Sequence, residues 1–142
     1  MGTAMYDALN DMQTLLKGDW GTTDTAGTFP DIQIVWERKV VGLANYTQDT
    51  ILLTPKRENV EYFGLYGSDF LHHVDIQIEL WSYMNQDRLD NLTKEVTKII
   101  KDNIRRTDFV DLVITGSISA SEVFRNIWKH VLTVRYRKLN PA

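Results

Sequence analysis

One stretch limits the fold more than any other: a strictly alternating strand that runs into a long helical repeat. Val74, Ile76, Ile78 and Leu80 alternate with Asp75, Gln77, Glu79 and Trp81, so one face of the strand is core and the other largely hydrophilic. Asn85 then offers an N-cap, with Gln86 and Asp87 in the first turn. Leu89, Leu92, Val96, Ile99, Ile100 and Ile104 follow a helical period to about Arg106. The opposite helix face carries Asp90, Lys94, Glu95, Lys98, Lys101 and Asp102. A half-buried strand followed by an amphipathic helix must lay both apolar surfaces against a common core.

The remaining elements build outward from that unit. Met5, Ala8, Leu9, Met12, Leu15 and Leu16 recur at helical steps within Ala4–Lys17, with Thr3 placed to cap the start and Gly18 to stop the end in the left-handed conformation. Asp19–Pro30 has no sustained period and reads as a loop. Ile32, Ile34 and Trp36 alternate with Asp31, Gln33 and Glu37 as a short strand. Thr50–Thr54 and Val60–Leu65 have strand composition and read as a hairpin about Pro55–Asn59, and Gly64 and Gly67 break the pattern after it. Phe109–Thr115 is a further strand, Gly116–Ser121 a polar loop, and Ile127–Leu139 the last strand. In that strand Trp128, His130, Leu132, Val134 and Tyr136 share one face; Lys129, Val131, Thr133, Arg135 and Arg137 share the other.

The order is α-β-β-β-β-α-β-β. The expectation is an α+β domain over residues 1–142, with one mainly antiparallel, mixed sheet of about five to six strands packed by two helices. The long helix gives a crossover long enough to return the next strand to the sheet. At 142 residues the chain has room for one real core.

Searches for chemistry fail on spacing and residue type. With no cysteine there is no disulfide framework, thiolate metal site or cysteine nucleophile. His72 and His73 are adjacent on a strand and point to opposite faces, so with His130 they make no obvious metal set. Asp75 and Glu79 lie about 13 Å apart at strand rise, beyond the ~5–9.5 Å of paired catalytic carboxylates. Ser117, Ser119 and Ser121 sit in no nucleophile elbow, and no base is indicated nearby. Gly18-Asp-Trp-Gly21 and Gly64-Leu-Tyr-Gly67 fail the phosphate-loop and dinucleotide spacings. No catalytic residue, metal ligand or cofactor is expected.

Association is the alternative to chemistry. A net charge of −3 gives no general attraction to phosphate, although Arg105-Arg106 and Arg135–Lys138 are basic. The residues singled out as a subunit-interface or lumen-facing set are Asp75, Gln77 and Glu79 with Lys129, Arg135 and Arg137, opposite charges able to pair within one sheet or between neighbouring subunits. Trp20, Trp36, Tyr46, Tyr66 and Trp81 stand beside loops or on half-buried faces and are candidate interface aromatics. No apolar run approaches the ~20 residues of a membrane span, and the N-terminus lacks a secretory pattern, so a cytoplasmic protein with no membrane partner is expected.

Taken together, the first helix Ala4–Lys17, the loop ending at Pro30, the strand Asp31–Trp36, the alternating strand His73–Trp81, the helix Asn85–Arg106 and the basic final strand ending Val134–Lys138 resemble the tail-terminator and tail-to-head joining proteins of long-tailed bacteriophages. That resemblance implies a virion protein, assembled in the host cytoplasm, whose copies close into a ring, commonly a hexamer. The ring would cap the tail tube, meet a head-connector or neck protein, and let DNA pass without specific binding. It also implies that Asp19–Pro30 and Val41–Gln48 order on docking. The alternatives are another neck, head-closure or minor tail component, a small hydrolase or metal enzyme, and a single-stranded nucleic-acid binding module.

Overall fold

The computed structural model describes residues 3–36, 49–63, 69–83, 86–124 and 127–141. Its elements are α1 (Thr3–Asp19), β1 (Asp31–Ile34), β2 (Thr50–Phe63), β3 (Asp69–Ser82), α2 (Gln86–Asp102), β4 (Asp111–Phe124) and β5 (Ile127–Pro141). The strands form one sheet in the order β1-β2-β3-β5-β4. Every pairing is antiparallel except β1 with β2. The fold class is as the sequence implies: α+β, with a mixed, mainly antiparallel sheet and two helices. The Asn85 cap, Gly64, Gly67, Tyr46, Tyr66 and the Val41–Gln48 connection lie outside the described residues.

Both helices pack on the same sheet face, α1 over β1, β2 and β3, and α2 over β3, β4 and β5. The alternation of β3 explains why. Val74, Ile76, Ile78 and Leu80 are fully buried, and Tyr136, Val134 and Leu132 stand opposite the first three on β5. Ile51 and Leu53 pair with Leu80 and Ile78 on the other side. Met5, Leu9, Met12 and Leu16 from α1, and Leu89, Val96, Ile99 and Ile100 from α2, close this layer. Each such side chain contributes about 1.5–3 kcal/mol by leaving water.

One polar knot ties the layer together at its edge. Arg106 is bidentate to Asp11, with both bonds at 2.9 Å, and the buried Tyr136 hydroxyl donates to the same carboxylate at 2.7 Å. The knot joins α1, the segment after α2, and β5. Burial, reinforced by the Asp11 charge, pushes the Tyr136 phenol far above its ordinary pKa, so it stays protonated.

Three local expectations are corrected. Pro55–Asn59 is not a turn, because β2 pairs with β3 along its whole length and a register shift between Pro55 and Arg57 absorbs the missing proline donor. Gly116–Ser121 is not a loop, because it lies within β4, paired to β5 through shifts at Ile114/Gly116 and Ile118/Ser121. Gly18 does not end α1, which continues to Asp19; the left-handed backbone comes at Gly21, with φ 105°.

Candidate functional site

The sheet face turned away from the helices carries the charged set. Its side chains come from the alternate positions of the core strands, so the pattern that buries Val74 to Leu80 also fixes this face. Cross-strand rows can be read directly from the register. Arg57, Asp75, Arg135 and Val113 form one row; Thr54, Gln77, Thr133 and Gly116 the next; Leu52, Glu79, Val131 and Ile118 the third.

Asp75 is the centre of the first row and is only 1% exposed. Arg57 donates to it from β2 at 2.9 Å, and Arg135 from β5 through Nε at 2.8 Å and a second nitrogen at 3.2 Å. Burial alone would raise the Asp75 pKa, but the Arg135 and Arg57 guanidiniums outweigh it and hold the carboxyl below the ordinary range. Lys129 pairs with Glu79 at 2.9 Å and sits 5.0 Å from the Trp81 ring centroid. Arg137 forks onto Asp111.

The structure therefore brings Asp75, Glu79, Lys129 and Arg135 together as ion pairs inside one subunit, with Gln77 between them. Arg137 joins the same face through Asp111 rather than through β3. Asp75 is not a solvated surface acid, because two arginines cover it. Arg135 and Arg137 are likewise paired with carboxylates, so their charge is largely balanced within the subunit.

His72 and His73 each meet a separate glutamate, Glu58 at 3.2 Å and Glu61 at 3.0 Å. Among the described residues no group of three metal-ligating side chains occurs. Ser117 does have a base beside it, contrary to expectation: its Oγ is 2.8 Å from His130 Nε2. The two sit diagonally on neighbouring strands, a contact hidden in the sequence by the assumed loop at Gly116–Ser121. Burial lowers the His130 pKa against the opposing pull of Asp90. No described carboxylate is hydrogen-bonded to the ring, so the contact lacks the orienting third member of a nucleophilic triad.

Sequence reasoning also missed the role of α2 as a clamp. Glu95, expected on the outward face, is fully buried and accepts five hydrogen bonds from the loop after α1. The donors are the Gly21, Thr22 and Thr23 amides and the two threonine hydroxyls, at 2.6–3.0 Å. Desolvation would raise the Glu95 pKa, and these donors more than offset it. Arg88 donates to Asp49 at 2.6 Å and to the Ala26 and Thr28 carbonyls at 2.6 and 2.9 Å. Gly27 adopts the left-handed backbone there (φ 67°), and a Cβ at this position would lie 2.6 Å from an Arg88 nitrogen, so the guanidinium would have to shift. Residues 21–28 are thus tied to α2 within the subunit.

Two aromatic features remain on the surface. Tyr6 of α1 and Trp36 after β1 stack at 5.9 Å although 56% and 40% exposed. A pocket of about 270 Å³ beside Trp36 is lined by Val35, Thr54, Pro55, Lys56 and Gln77. Trp20 is instead half-buried against Phe29, and Trp81 is buried beneath Lys129. A wider groove of about 480 Å³ follows the outer side of α2 past Lys94, Lys98 and Lys101, where Lys98 is already paired with Asp102.

Comparison with solved structures supplies a likeness for this arrangement. A chain from the virion of a native gene transfer agent particle matches with a TM-score of 0.59, covering 91% of this chain and 92% of that one at 13% identity. The two share a fold. No protein-family model matches this sequence, and no curated protein matches it. At that identity the likeness to the gene transfer agent chain concerns backbone architecture, and it extends over nearly all of both chains.

Proposed function

We propose that this protein is a structural component of a virion, and more specifically a ring-forming tail terminator or head-to-tail joining protein. The observation that carries the reading is the near full-length fold likeness to a chain of a gene transfer agent virion. The charged face and the exposed aromatics add to it. Ion pairs within the subunit keep the sheet face rigid, and exposed apolar side chains such as Tyr6, Trp36 and Ile118 offer anchors for association. In this reading the copies close into a ring, commonly a hexamer, between the tail tube and a head-connector or neck protein. DNA crosses the lumen without being gripped, which a chain of net charge −3 favours.

The test is genetic and structural together. Particles made without this protein should yield heads and tails that fail to join, or tails of uncontrolled length, with both parts otherwise intact. Labelled protein should map to the head–tail junction by electron microscopy. Normal joined particles in its absence would refute the proposal.

A further inference from the structure

We propose that the outer side of α2 and the turn after it form a docking surface for an acidic, amphipathic segment of another protein. Lys94, Lys98, Lys101 and Arg105 meet its carboxylates, and Ile104 and Val110 meet its apolar side chains. The assignment goes beyond the virion reading and does not depend on ring closure.

The first observation is a contrast in how the chain treats its cations. On the sheet face and at the edge of the core, Arg57 and Arg135 are met by Asp75, Arg88 by Asp49, Arg106 by Asp11, Lys129 by Glu79 and Arg137 by Asp111. On α2 that pattern stops. Lys98 has Asp102 at 2.9 Å, but no carboxylate among the described residues pairs with Lys94, Lys101 or Arg105. Between residues 94 and 110 the exposed charges are the four cations Lys94, Lys98, Lys101 and Arg105 against the two acids Asp102 and Asp108. The whole chain has a net charge of −3. A local surplus of the opposite sign steers acidic partners to this face rather than to the molecule at large.

The second observation is shape. Lys94, Lys98 and Lys101 stand at i, i+4 and i+7, a single stripe about 10 Å long at the ~1.5 Å rise of a helix. They line a groove of about 480 Å³ that also takes in Thr23 of the clamped loop. The Thr23 amide and hydroxyl donate to Glu95 at 2.9 and 2.7 Å, which fixes that part of the wall. A wall already held in place costs a partner less ordering on binding.

The third observation selects the occupant. Ile104 and Val110 are 48% and 50% exposed. The chain doubles back between them, with Arg106 bridged to Phe109 and the Leu112 amide donating to the Ile104 carbonyl at 2.7 Å. Both apolar side chains therefore belong to the end of the molecule where the lysine stripe finishes. A phosphate backbone would use the cations and gain nothing from the isoleucine and valine, whereas a segment with Asp or Glu beside Leu, Ile or Phe uses both. A second copy fits less well. Its exposed α2 acids, Asp87 and Asp90, lie on the same helix as the lysines, and copies meeting through them would stop at a twofold pair.

The test uses the isotopically labelled full chain and three probes: a short synthetic helical peptide with Glu on one side and Leu and Phe on the other, the same peptide with Lys in place of Glu, and a short DNA duplex. The acidic peptide should shift the amide resonances of residues 94–110, less so as salt is raised, and the Lys peptide should leave them in place. Lys94→Glu, Lys101→Glu and Arg105→Glu combined should weaken the acidic peptide by about tenfold or more. Ile104→Ser should weaken it several-fold, and both variants should keep the circular dichroism spectrum because the altered positions are exposed. An acidic peptide that leaves residues 94–110 unmoved, or binds both variants as tightly as the parent, would overturn the proposal. So would tighter binding of the duplex at this face, which would make it a nucleic-acid surface, or loss of self-association in the triple variant, which would make it a contact between copies.

Discussion

Arg135 and Asp75 stand directly opposite each other on β5 and β3, joined through 2.8 and 3.2 Å hydrogen bonds, and Arg57 closes on the same carboxylate from β2. One buried acid thus ties three strands on the face away from the helices. Asp75→Asn would leave the half-buried Arg135 without its counter-charge. The expected cost is about 3 kcal/mol, or a fall of roughly 10 °C in Tm for a domain of this size, measured by urea and thermal unfolding.

The same face allows a test of register. Glu79 pairs with Lys129, and Arg135 pairs with Asp75. A double-mutant cycle on Glu79 and Lys129 should give a coupling of about 0.5–1 kcal/mol, modest because both side chains keep some solvent. The cycle on Glu79 and Arg135 should be additive. Strong coupling in the second cycle would mean that the strands pair differently.

Glu95 is the counterpart on the helix side. Glu95→Gln keeps one acceptor oxygen where five donors converge, and should cost about 2–4 kcal/mol. The loss should be local first. Amide exchange at Gly21, Thr22 and Thr23 should speed up, and protease should cut within residues 20–30, before the core protections change.

Both depressed carboxylates set the acid limit of stability. Asp75 and Glu95 have folded pKa values below their ordinary ones, so the unfolded chain binds protons first as pH falls. Their contribution is complete above the unfolded values near 4 and is lost as pH drops through the folded values. Unfolding free energy followed from about pH 6 downward should decline in that window. Glu95→Gln should flatten the slope, and an unchanged slope would show that Glu95 does not titrate as described.

Much of the fold was legible because its strongest signals were periodic. The alternation of Val74–Trp81 and the helical repeat of Leu89–Ile100 each survive intact in the structure. The errors fell where tertiary pairing overrides local preference. Gly116–Ser121 has the composition of a loop yet is drawn into β4 by β5 and bulged to fit. Pro55 suggests a turn yet sits at a register shift in a continuous strand. For the site, the alternation put Asp75, Gln77 and Glu79 on one face of their strand and Lys129, Arg135 and Arg137 on one face of the last, but that the two faces coincide in one sheet, and which charge meets which, needed the register. The position of Glu95 on the helix suggested solvent, and only the folded loop beside it supplies the donors that let a carboxylate be buried. The Ser117–His130 contact was invisible because it depends on the second half of β4, which has the composition of a loop.

Self-association is the claim on which the functional account stands, and native mass spectrometry of the purified full chain over a range of concentrations tests it most directly. The account expects one discrete species with the mass of a closed ring, a hexamer, that persists on dilution. A strict monomer at every concentration would contradict it.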